Sequence, residues 1–114
     1  MNSVRRVYDH DFADVVLGAA APVVVGFCAG SSVVCDLLEP VLDELAASSP
    51  GLQVALVDVD LAPGAAAAHQ VSSVPAVLAF ASGRQLFALP GTPALQTIQR
   101  ILELALDRPQ EVAE

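Results

Sequence analysis

The chain has 114 residues, 54% of them hydrophobic, with thirteen acidic side chains against five basic ones. That length suits one domain with a single sizeable core, and the apolar share excludes a disordered chain. A formal charge of −8 argues against nucleic acid or an anionic membrane as partner, since both need clusters of Lys and Arg and only Arg5 and Arg6 are adjacent here.

Asp, Glu, Gly and Pro interrupt every apolar run well short of the roughly 18–20 residues that a membrane helix needs. Residues 1–6 lead into no apolar segment, so no signal peptide is expected and the protein is read as cytoplasmic. Two cysteines in a cytoplasmic chain do not suggest a structural disulfide framework. His10 and His69 stand alone in sequence, which makes them surface or cap residues rather than ligands. No metal and no cofactor are expected.

Residues 4–8 form a short candidate strand. Asp9 or Asp11 is placed to cap a first helix reaching to about residue 20, with Phe12, Val15, Val16 and Ala19 inward and Gly18 weakening its end. The β-branched run at 22–27 suits a central strand covered on both faces. The second helix starts near Ser32: Val33, Val34, Leu37, Leu38, Val41, Leu42 and Leu45 recur at helical spacing, and Pro40 predicts a kink. Ser48-Ser49-Pro50-Gly51 stops it. Residues 52–59 read as a buried strand, and Pro63 starts a short Ala-rich helix to about residue 70. Residues 76–81 and 84–89 pair through a Ser82-Gly83 turn. Thr92 is the expected N-cap of the last helix, with Pro93 at its first position and Leu95, Ile98, Ile101, Leu102 and Ala105 inward.

The order is βαβαβαββα. Such alternation predicts an α/β fold with a central mixed sheet, helices on both faces, and a closing antiparallel hairpin. Residues 1–107 make the domain and residues 108–114 a polar tail.

The stretch Phe27-Cys28-Ala29-Gly30-Ser31-Ser32-Val33-Val34-Cys35, followed by Pro40, puts a cysteine in the first turn of a helix that leaves a buried strand. With Val57-Asp58-Val59-Asp60, Ser73-Val74-Pro75, Gly83 and Gly91, it resembles the thioredoxin family from about residue 12 to residue 106. The resemblance implies the thioredoxin fold, a cis proline at Pro75 and a two-cysteine motif at positions 32 and 35. Here Ser32 replaces the attacking cysteine and Cys35 keeps the place of the resolving one. The buried Asp of the family is Gly26, its Lys partner is Leu56, and Val33-Val34 stand between the two motif positions. Cys28 and Ser31 take the places of the flanking Trp residues.

A serine hydroxyl without a base does not attack a disulfide, because the thiolate is the nucleophile in exchange. Three readings of Cys35 stay open: a buried inert thiol, a reactive single thiol, or a partner of Cys28. Pro75 either pins a tight loop or, with Val74 before it, presents backbone to an extended client peptide. Ser31, Val74, Pro75 and Gly91 are the candidate peptide-contact residues, at the Pro75 loop and the start of the second helix. The motif is similar to the Ser-x-x-Cys version found in holdase-type thioredoxin-like chaperones. The expected function is therefore a protein-binding or chaperone-type module without dithiol–disulfide reductase activity. The alternative is a thiol–disulfide oxidoreductase working through Cys35 alone or through a Cys28–Cys35 pair.

Overall fold

The strands expected from hydropathy assemble into one five-stranded sheet in the computed structural model, which describes residues 2–30 and 32–107. They are β1 (Val4–Arg6), β2 (Val23–Cys28), β3 (Gln53–Asp58), β4 (Ala76–Ala81) and β5 (Arg84–Pro90), in the spatial order β1-β3-β2-β4-β5. β3 runs parallel to both β1 and β2, while β4 is antiparallel to β2 and to β5. This is the thioredoxin-type mixed sheet. Every residue of β2 is buried, which is what a β-branched run in the middle of a covered sheet requires.

Side chains alternate across β2 with period two. Val23, Val25 and Phe27 point to one face, where they meet Phe12, Val16, Phe80 and the Ala-rich helix α2 (Pro63–Ala68). Val24 and Cys28 point to the other, against α1 (Leu38–Ser48) and α3 (Leu95–Asp107). On that second face Leu38, Leu42 and Leu45 of α1 are fully buried, as is Ile98 of α3. Each such leucine stabilises the fold by about 1.5–3 kcal/mol relative to an exposed one.

Several local expectations are corrected. The first helix is one wide turn (Ala13–Leu17), closed where the Gly18 amide donates to Ala13 O at 2.7 Å. Asp9 caps a different element: its two carboxylate oxygens accept the Ala65 and Gly64 amides at 2.7 and 3.0 Å, holding the start of α2. Asp11 instead accepts the Tyr8 amide at 2.8 Å. The helix after β2 begins as a tight 3₁₀ turn (Val34–Leu37) and becomes α-helical at Leu38. Pro40 lies just beyond that change; it cannot donate to the Asp36 carbonyl, so the distortion takes the form of a switch in helix type. Thr92 is not an N-cap. α3 starts at Leu95, Ile98 donates to Ala94 O at 3.1 Å, and the Thr92 hydroxyl is buried without a partner. The cause is Gly91, whose φ of +76° and amide bond to Pro75 O (2.8 Å) hold that segment against the preceding loop.

One contact has no signature in local pattern. The Asn2 side-chain amide donates to the carbonyls of Ala46, Ser49 and Leu52 at 3.0, 3.1 and 2.6 Å, closing the C-terminal end of α1 onto the entry to β3. No helix among the described residues is long and apolar enough to cross a membrane. Residues 108–114, expected as a polar tail, lie outside the described residues.

Candidate active site

Cys28 is the last residue of β2, and Cys35 is the second residue of the 3₁₀ turn that begins the next helix. β2 ends facing α1, and the turn folds back over it, so the two side chains join one core cluster. Both thiols are free and buried, with 6% and 5% of their surface exposed. The Cys28 thiol donates to Cys35 O at 3.8 Å, and the Ala29 amide donates to the Cys35 sulfur at 3.3 Å.

These contacts make the pair unequal. Cys35 has a backbone N–H directed at its sulfur, the kind of donor that supports a charged acceptor. Burial pushes the Cys28 thiol far above its usual range, and the Cys35 sulfur, Glu39 and Asp58 push it further. Cys28 is therefore held in its thiol form.

A cleft of about 190 Å³ opens beside both cysteines, bounded by Arg6, Asp36, Glu39, Leu56 and Asp58. Arg6 bridges to Glu39 at 3.4 Å across its mouth, with both side chains about half exposed. Asp58 ends β3 in register with Cys28, and its Oδ1 accepts the amides of Asp60 and Gly30 at 2.9 and 3.3 Å. Sequence reasoning missed Arg6 and Asp58 as neighbours of the thiols. The available signal was strand parity: Val54, Leu56 and Asp58 share a face of β3, and the strand ends beside Cys28.

The space of the family's buried Asp is closed. A Cβ on Gly26 would lie 2.5 Å from Leu42 Cδ1 and 3.0 Å from Leu38 Cδ2, with Leu56 next at 3.5 Å. Two leucines of α1 thus occupy the volume an acid would need.

The remaining candidate residues fall as follows. Ser32 is half-buried, and its amide donates to Ala29 O at 3.0 Å. Ser31 lies outside the described residues. The Val74–Pro75 peptide is cis. Val74 packs partly buried against the cluster that contains both cysteines, Pro75 is buried, and Gly91 is tied to Pro75 O. Val33 and Leu37, which flank Cys35 on its turn, are exposed at 79% and 65%. His69 ends α2 as the expected cap residue, half-buried with its ring packed against Phe12 and Phe80, at 5.0 and 5.1 Å. Among the described residues no three His, Cys, Asp or Glu side chains are grouped to hold a metal ion.

A family model described as Thioredoxin matches residues 3–103. The chain is 36% identical to a thioredoxin of Mycolicibacterium smegmatis over 88% of its own length and 92% of the relative's. It is 30% identical to thioredoxin 1 of a Nostoc species over 90% of its length and 97% of the relative's. It is also 33% identical to a chloroplastic M-type thioredoxin of Spinacia oleracea over 90% of its length. The chain spans 58% of the spinach relative and 60% of a similar one from Pisum sativum.

These findings overturn the expectation of a binding or chaperone-type module without dithiol chemistry. Nearly the whole chain aligns with proteins named thioredoxin, and the structure brings two thiols together rather than leaving one stranded. The alternative, thiol–disulfide chemistry through Cys35 alone or with Cys28, is the reading these findings favour.

Proposed function

Because the chain belongs to the thioredoxin family, we propose that it is a protein thiol–disulfide oxidoreductase whose working pair is Cys28 and Cys35. One observation carries this reading: two free thiols stand side by side at the head of β2, share one cleft, and differ in how their sulfurs are held.

Cys35 is the attacking group. As thiolate, supported by the Ala29 N–H, it attacks one sulfur of a client disulfide, forming a Cys35–client mixed disulfide and releasing the other client sulfur as thiolate. Cys28 then gives up its proton and attacks the Cys35 sulfur. That step forms a Cys28–Cys35 disulfide and releases the second client thiol. Two electrons pass from the pair to the client, and the client disulfide leaves as two thiols. Ser32 takes no part in the transfer. The client is an extended protein segment alongside Val74, Pro75 and Gly91, with Ser31 a further contact that the family resemblance suggests. A cytoplasmic setting, where thiols are kept reduced, fits the same reading.

The test is insulin reduction driven by dithiothreitol or by a thioredoxin reductase, with peptide mapping of the oxidised protein. Turnover well above background, lost in both Cys28→Ser and Cys35→Ser, and a Cys28–Cys35 cross-linked peptide are the expected results. Turnover that persists in Cys28→Ser would reject the pair in favour of Cys35 acting alone. No turnover above background would reject the function.

A further inference from the structure

We infer that Asp58 is the proton acceptor for Cys28, serving the resolving step from the neighbouring strand rather than from beneath the site. This rests on the Cys28–Cys35 reading above.

The need for an acceptor comes from burial. Cys28 is held as a thiol among apolar neighbours and carboxylates, yet only its thiolate can attack the mixed disulfide. No acid can stand at position 26, because Leu38 and Leu42 fill that space. The base must therefore reach Cys28 from the cleft.

Four charged groups face the cleft: Arg6 from β1, Asp36 from the 3₁₀ turn, Glu39 from α1 and Asp58 from β3. Arg6 carries no free electron pair for a proton. Glu39 is engaged by Arg6 at 3.4 Å and lies half in solvent. Asp36 is exposed and follows Cys35 directly on its turn. Asp58 differs from all three. It is Cys28's register partner, so its side chain leaves the sheet on the same face. Its Oδ1 is anchored by the Asp60 and Gly30 amides, while Oδ2 accepts no hydrogen bond among the described residues.

Gly30 lies against the same carboxylate: its amide donates to Oδ1, and a Cβ there would meet Oδ2. Cys28 and Asp58 line the same cleft, which is large enough to admit water.

The step balances. Cys28–SH and Asp58–COO⁻ become Cys28–S⁻ and Asp58–COOH as the Cys28 sulfur bonds to Cys35, and the Cys35–client S–S bond breaks. The departing client thiolate then takes the proton from Asp58. The electron pair leaves with the client sulfur.

The test uses the reduced full chain with one equivalent of 5,5′-dithiobis(2-nitrobenzoate). The first thionitrobenzoate released reports attack by Cys35, and the second reports resolution by Cys28. In the wild type the second release should stay nearly level between about pH 6 and 9, because a carboxylate rather than hydroxide takes the proton. Asp58→Asn keeps an oxygen for the Asp60 and Gly30 amides. It should slow the second release about 10²-fold at neutral pH and make it rise about tenfold per pH unit. A second release in Asp58→Asn with the wild-type rate and pH profile would overturn the inference, as would the same loss appearing in Glu39→Gln instead. Should the variant fold poorly, the wild-type profile decides: a tenfold rise per pH unit overturns the inference without any variant. A single equivalent released from the wild type would overturn both this inference and the pair itself. Two equivalents with an insensitive Asp58→Asn would overturn the inference alone.

Discussion

The two faces of the sheet are built from different materials. On one, Phe12, Phe27 and Phe80 meet ring to ring, with Phe12 and Phe80 edge-on at 6.0 Å and the His69 ring against both. On the other, the filling is aliphatic, with Leu38, Leu42, Leu45, Ile98 and Val24 packed down to the two cysteines. The aromatic face is backed by the Ala-rich helix α2. The aliphatic face runs out at the end of β2, where the packing gives way to a cleft lined by four charged side chains. The two sulfurs thus lie at the margin of an apolar layer, buried enough to be shielded and still beside solvent-facing acids. Both thiols belong to one layer only, and the opposite layer packs against the other face of β2.

That contrast can be broken most severely at Gly26, on the thiol side. Gly26→Asp would force a carboxylate against Leu42 and Leu38 and should destabilise the fold by roughly 5 kcal/mol or more. A urea midpoint equal to the wild type's would show that the leucines do not hold that space. On the opposite side, Phe80→Ala removes a fully buried ring paired with Val23, at the far end of β2 from Cys28. It should cost about 3–5 kcal/mol while leaving both thionitrobenzoate releases at wild-type rates below the new melting range. Altered release kinetics there would mean that the two layers are coupled. The smallest expected effect is in the pH dependence of stability. Burial lowers the His69 pKa, so the folded state binds a proton less readily than the unfolded chain. The stabilisation from neutral His69 is complete above the unfolded histidine value of about 6.5 and is lost as pH falls through that value toward the folded one. Chemical denaturation at pH 7.5 and pH 5.5 should show this slope flatten in His69→Gln. An unchanged slope would move the effect to another group.

The outline of these layers was legible because it depends on short-range pattern. β4 has the boundaries its apolar run predicts, residues 76–81. Val23, Val24 and Val25 mark a strand covered on both faces, and the leucines at 38, 42 and 45 mark one side of a helix. What failed to show were pairings that cross the chain. Asp9 looks like the cap of the helix just after it, yet it caps α2 some 55 residues on. Thr92-Pro93 has the form of a helix start, but Gly91 is bound to Pro75 O, and the helix begins later. The site was read the same way, position by position. Ser32 drew attention because it stands where a cysteine was expected, while Cys28 shares its face of β2 with Val24 and Gly26, turned toward the helix that carries Cys35. Motif comparison raised Cys28 only as an alternative partner of Cys35; strand parity is what turns it toward that helix.

Asn2 precedes the three carbonyls it binds by 44, 47 and 50 residues along the chain. During synthesis on the ribosome its amide has no partner in place until Ala46 has emerged, and β1 likewise waits for β3, the strand it pairs with. The amino-terminal strand thus stays unpaired until β3 is made, and β3 is the same strand that β2 needs for its own parallel edge.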